Sequence, residues 1–170
     1  MKFTEIYQEL VNSTEVIRAL TANVSQEEAQ SKPTPETWSM LEVVCHLYDE
    51  EREDFRDHLD FILHRKGRET WKAIDPQGWV TSRKYNERNF VEMHTKFLEE
   101  REKSLDWLID LSRADWDIAC ETHFGTISAG DVFASWAAHD NLHIRQLVEL
   151  KRVQIEQASQ PYSPHYAGNW

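Results

Sequence analysis

The stretch SWAAHDNLHIRQL, residues 135–147, decides how the chain is read. Trp136, Ala137, Ile144 and Leu147 recur at the spacing of one helix face, and Val132, Phe133 and Val148 extend the stripe on either side. Asp140 falls near the centre of that stripe, His143 inside its edge and His139 just beyond, at about 100° per residue. Three polar side chains cut into an apolar face each need a partner, because an unpaired buried polar group is costly. Imidazoles four residues apart on a helix can grip one ion. A metal ion is therefore one reading of His139 and His143, and an ordinary helix with two incidental histidines is the other.

Ser128 and Asp131 form a capping-box pattern that starts this last helix, which runs to about Ala158. Upstream, apolar spacings of three and four predict three more long helices, over about 3–23, 39–65 and 86–112. Ser39 with Glu42 caps the second of these, and Ser25 with Glu28 marks a short helical turn before it. Two long connections separate the later helices. One, around 66–85, holds Gly67, Pro76 and Gly78, and the other has a weak extended signal near 117–124. The expectation is an all-α chain, a four-helix bundle over 1–158, with a non-helical aromatic tail over 159–170 that has the character of a surface packed on another subunit. The long connections leave up-down-down-up and related topologies open.

Composition narrows the partners. A net charge of −11 over 170 residues argues against nucleic acid and against an anionic membrane surface, both of which attract Lys and Arg. No apolar run is long enough to span a bilayer, and the N-terminal residues lack a basic region followed by an apolar one. Cys45 and Cys120 form no CxxC pair and are too few for a disulfide framework, so a reduced, cytoplasmic setting is the expectation. Cys45 reads as a small buried hydrophobe.

Two other helices carry polar residues in informative places. Arg101 falls inside the stripe of Phe97, Leu98, Leu105 and Leu108, where a guanidinium must find a carboxylate or a ligand anion. Asp140 could satisfy it, with Glu50 as another candidate, or Asp140 could hold the far ring nitrogen of a metal-bound histidine. His46, in HLYDEE, offers a third imidazole, yet a wheel of the second helix places it well off the apolar stripe. His58, His64, His94 and His123 compete with it. Asp49 and Glu50, about one turn from His46, are candidate proton acceptors, with exposed helix carboxylates as the plainer alternative. Trp79, after DPQG, is a candidate lid. Both HExxH and the Glu-x-x-His of di-iron bundles are absent.

The segments TWSMLEVVCHLYDEE (37–51), FLEEREKSLDWL (97–108) and GTISAGDVFASWAAHDNLHIRQL (125–147) resemble the DinB/YfiT-like superfamily. That resemblance implies a four-helix bundle, frequently a homodimer, holding a divalent metal such as zinc or nickel on three histidines, here His46, His139 and His143. It further implies a small-molecule substrate and, from characterised relatives, transfer of or dependence on a low-molecular-weight thiol, as in thiol S-transferases and a maleylpyruvate isomerase. An ion on three neutral imidazoles could equally activate a water, which would make a hydrolase. A non-enzymatic module binding a metal or small ligand is the alternative.

Overall fold

Each of three serines placed three residues before an acid starts a helix, with both hydrogen bonds of the capping box formed. In chain order, the computed structural model, described over residues 1–168, has α1 (Phe3–Thr21), α2 (Gln26–Gln30) and α3 (Met40–Glu50). A π-helical turn (Glu51–Phe55), α4 (Arg56–Asp60) and a second π-helical turn (Phe61–Arg65) continue α3 as one helix over 40–65. There follow α5 (Pro76–Ser82), a 3₁₀ turn (Tyr85–Glu87), α6 (Phe90–Asp110), β1 (Ala119–Thr122), β2 (Gly125–Ser128) and α7 (Ala129–Ala158). The four long helices form the bundle that the apolar periodicity predicts.

Their directions follow from a few contacts. Phe3 stacks on Phe133 near the starts of α1 and α7, and Gln154 near the end of α7 reaches the Glu28 carbonyl in α2, the short helix that follows α1. These two helices therefore run parallel. Along α7, Trp136 meets Glu51 whereas His143, two turns later, meets His46, so the 40–65 helix runs the opposite way. Arg101 pairs with Glu51 and Ser104 with Arg56, so α6 runs with it. The result is up-down-down-up. Going round the bundle the order is α1, α6, the 40–65 helix and α7, which sets sequential helices α6 and α7 on a diagonal.

The weak extended signal near 117–124 is a two-stranded antiparallel hairpin, β1 with β2, a small β element within a chain expected to be all-α. Gly125 makes its turn at φ +100°, a conformation open to glycine. The third long helix begins at Phe90, not near Asn86, because Asn89 caps it and residues 85–87 form the 3₁₀ turn. In the tail, Pro164–Ala167 make a 3₁₀ turn, and Tyr162 and Tyr166 are exposed. Among the described residues, no helix is long and apolar enough to cross a membrane.

The core is two apolar clusters, not one. The first gathers Met40, Val44 and Leu47 with Ile17, Phe97 and Leu147. The second gathers Leu10, Leu59 and Leu108 with Phe133 and Trp136. Between them lies a layer of buried polar side chains: Thr14, Glu51, Arg101 and Asp140. The candidate site borders that layer.

Candidate metal centre

His46 projects from α3, and His139 and His143 project from α7. Their Nε2 atoms converge. His46 Nε2 lies 3.3 Å from His139 Nε2, which lies 3.1 Å from His143 Nε2. Nitrogens around a tetrahedral ion with Zn–N bonds of 2.0–2.1 Å stand roughly 3.4 Å apart, so the spacing suits a common ion. The three form a cluster whose ligand atoms all fall within 4.8 Å of one another.

Each ring is held from behind. His143 Nδ1–H donates to Gln146 Oε1 at 2.9 Å, which leaves the Nε2 lone pair facing its partners. Trp38 packs edge-on to His46 and lies parallel to His143, with ring centres 4.9 and 6.2 Å away. Phe55 backs His139 at 5.0 Å. His46 Nδ1 and Glu50 Oε1 are both buried without a hydrogen-bond partner, and they face each other across 3.9 Å. The other Glu50 oxygen stands 4.0 Å from His139 Nε2.

Burial sets the charges. It holds the His46 ring down at about 2, helped by His143 and His139, and the His139 ring at about 3, helped by His143. Burial also lowers His143. All three imidazoles are therefore neutral at pH 7, the form that ligates a cation. Glu50 moves the other way. Burial, then the hydrogen bond and charge of Asp54, push it up to about 9, so it is a neutral acid in the metal-free protein.

The histidines line a cleft of about 790 Å³. Trp38 forms one wall, Pro76 and Gln77 of α5 another, and Leu142 and Arg145 reach its rim from α7. The α5 wall depends on a cap, since Asp75 accepts from Gly78 N–H at 3.0 Å and a Cβ on Gly78 would meet that carboxylate at 2.0 Å. Trp79 is not the lid. It packs against the first core cluster with the Arg83 guanidinium 4.0 Å over its ring, while the two residues before Gly78 face the cleft.

Glu50 is at the histidines, whereas Asp49 is turned to the far side of α3. There its carboxylate accepts from Arg83 and the Tyr85 hydroxyl at 2.6 Å and from Arg52 at 3.0 Å. With its lone pairs taken by two cations, Asp49 is a structural anchor and not a proton acceptor for the cleft. Arg101 and Asp140 meet each other. Both Asp140 oxygens bind the guanidinium, so Asp140 holds no histidine ring, and Gln146 does that work for His143. The second carboxylate on Arg101 is Glu51, not Glu50. This fully occupied guanidinium is buried away from the cleft and offers no substrate contact. His58 binds Asp54 and the Lys72 carbonyl, His64 binds Asp60, and neither they nor His94 and His123 join the cluster. Cys45 is buried, its thiol pushed up to about 12 by desolvation. Gln146 escaped the reading of the sequence by spacing, although its position three residues after His143 on the same helix was the available signal.

A profile of the DinB superfamily matches residues 9–147. Among solved structures, the chain is similar to one described as "YfiT from Bacillus subtilis is a probable metal-dependent hydrolase with an unusual four-helix bundle topology". The TM-score is 0.77 at 14% identity, over 90% of this chain and 87% of that one. No curated protein sequence matches the chain. With the family profile covering most of the chain, reaching into all four bundle helices and including all three clustered histidines, the chain belongs to the DinB superfamily.

Proposed function

We propose that His46, His139 and His143 hold one divalent metal ion and that the cleft beside them is the active site of a metal-dependent hydrolase. The observation that carries this reading is the facing triangle of Nε2 atoms, 3.1 and 3.3 Å apart. Three neutral imidazoles packed nitrogen to nitrogen cannot all satisfy one another, since each ring has a single N–H and that of His143 already goes to Gln146. A shared cation resolves the conflict. The donor set also fits the group: three imidazoles with exchangeable space beside them is the pattern of catalytic zinc, and nickel accepts the same ligands.

When bound, such an ion supplies Lewis acidity and makes a water or thiol beside it a stronger acid near neutral pH. The chain supplies the rest. Glu50 stands within 4.0 Å of two of the three rings, and beside a bound cation its carboxyl group would be held ionised, as a proton acceptor inside the cleft. Gln146 fixes the His143 tautomer, and Trp38 shields two of the rings from water. Arg145 is exposed at the rim and engages no carboxylate among the described residues, so it offers a counter-charge to a substrate anion. The likeness to YfiT, described as "a probable metal-dependent hydrolase", supports the same reading.

Thiol transfer is the second reading, favoured by the size of the cleft. A volume of about 790 Å³ accommodates a thiol and an electrophile together. One experiment separates the two: zinc- and nickel-loaded protein is assayed on ester and amide panels with and without added low-molecular-weight thiols. Turnover without thiol supports the hydrolase, strict thiol dependence supports the transferase, and inactivity of the loaded protein on both panels counts against either.

A further inference from the structure

We propose that Arg101 is a positioning residue for the metal centre: by gripping Glu51 and Asp140 at once, it sets the spacing and orientation of the two helices that carry the histidines. The inference rests on the metal reading above, and it concerns a side chain that never reaches the cleft.

The connections are specific. Arg101 Nε donates to Glu51 Oε1 at 2.8 Å, and the two terminal nitrogens donate to the Asp140 oxygens at 2.6 and 2.8 Å. Glu51 directly follows Glu50 and opens the π-helical turn, while Asp140 directly follows His139 and precedes His143 by three residues. Adjacent residues on a helix point about 100° apart. Each anchoring carboxylate thus faces the bundle interior while its neighbour faces the cleft, and any shift of an anchor rotates that neighbour. Among the described residues, no Lys or Arg of the 40–65 helix pairs with an acid of α7, nor the reverse. The fixed-charge link between them therefore runs through Arg101 on α6, the diagonal neighbour of α7. Trp136 Nε1–H on Glu51 and Thr14 Oγ1 beside Arg101 complete the layer.

Stability alone is a poor reason for such a network. Taking three charges out of water is expensive, and apolar side chains of similar volume in such places are commonly as stable or more so. What apolar packing does not provide is direction. A planar guanidinium bound in two-pronged fashion fixes the orientation of Asp140, and through the helix backbone that of His139 and His143. The layer also carries two carboxylates against one guanidinium. The excess negative charge, buried between two apolar clusters and next to the site, complements a bound cation.

The test uses Co(II) as a spectroscopic probe of full-length protein. One variant combines Glu51→Gln, Arg101→Met and Asp140→Leu, the first of which keeps an amide oxygen as acceptor for the Trp136 indole. The other is Arg101→Lys, which keeps the charge and loses the two-pronged grip. We expect the triple variant to melt at or above the wild-type temperature in the metal-free state. We also expect it to bind Co(II) at least about tenfold more weakly, with shifted visible bands, as loss of a supporting contact does in other metal sites. Arg101→Lys should fold and show the same two changes in smaller degree. A folded triple variant with wild-type affinity and unchanged bands overturns the proposal. Should the triple variant not fold, wild-type affinity and bands in Arg101→Lys overturn it alone. Wild-type protein that takes up no Co(II) is a different failure, visible before any variant is made, and it removes the metal reading itself.

Discussion

Asp140 gives both carboxylate oxygens to the Arg101 guanidinium, at 2.6 and 2.8 Å, although it sits between two histidines that face the cleft. A single turn of α7 thus serves two environments, an ion-pair layer inside the bundle and an imidazole cluster at its side. The separation explains how one helix stays embedded in the core while presenting nitrogens for chemistry.

Removing the cation from that layer strands two buried carboxylates. Arg101→Ala should cost about 3–5 kcal/mol of folding stability, the range seen when one partner of a buried ion pair is deleted. Urea unfolding followed by circular dichroism measures it. A loss below about 1 kcal/mol would show that water or rearrangement satisfies Glu51 and Asp140 without the guanidinium.

Glu50 gives the metal-free protein an unusual response to pH. Its folded value, about 9, lies above its ordinary 4.5, so its contribution to stability is complete below pH 4.5 and is lost as pH rises toward 9. His46 and His139 act in the opposite sense. Held at about 2 and 3 in the fold against an ordinary 6.5, they bind protons more readily when unfolded, and their contribution is lost as pH falls below 6.5. Glu50→Gln removes the first effect alone. The melting temperature of the variant, relative to wild type without metal, should therefore climb steadily between pH 5 and pH 9, the interval bracketed by the two Glu50 values. A difference that stays flat across this range would mean that Glu50 is ionised in the metal-free fold.

Gln146 supports the site at one remove, through the His143 Nδ1–H alone. Gln146→Leu should leave the helical content unchanged and weaken zinc binding about 10- to 100-fold, the usual effect of losing the partner of a ligating histidine. Competition with a colorimetric chelator reads the change directly. Wild-type affinity would show that packing by Trp38 is enough to orient the ring.

Much of the fold was legible in the sequence because its signals are local. The boxes Ser25/Glu28, Ser39/Glu42 and Ser128/Asp131 each start a helix, and the predicted end of the last helix at Ala158 agrees with the structure. The burial of Arg101 also followed from the apolar stripes, which left Asp140 as one of its candidate partners. His46 was harder, and the reason is geometric. A wheel at a constant 100° assumes one period throughout 40–65, whereas the two π-helical turns put the apolar face after Glu50 out of phase with the face before it. The first half of this helix is also buried on nearly every side, so no single stripe describes it, and His46 is itself buried. The orientation of Asp49 depended on Arg83 and Tyr85 from a connection whose path no periodicity reveals. The same connection supplies the cleft wall, which explains why Trp79 was mistaken for a lid and Pro76 with Gln77 were overlooked.

Whether one ion sits on three imidazoles is decided by the metal content of protein purified without chelator and reconstituted with zinc, compared with His143→Ala treated alike. Wild type should carry about one ion per chain, and the variant should carry almost none while retaining the wild-type circular dichroism spectrum. Equal metal content in the two proteins would contradict the account, because an ion that ignores the loss of His143 is not held where the three Nε2 atoms meet.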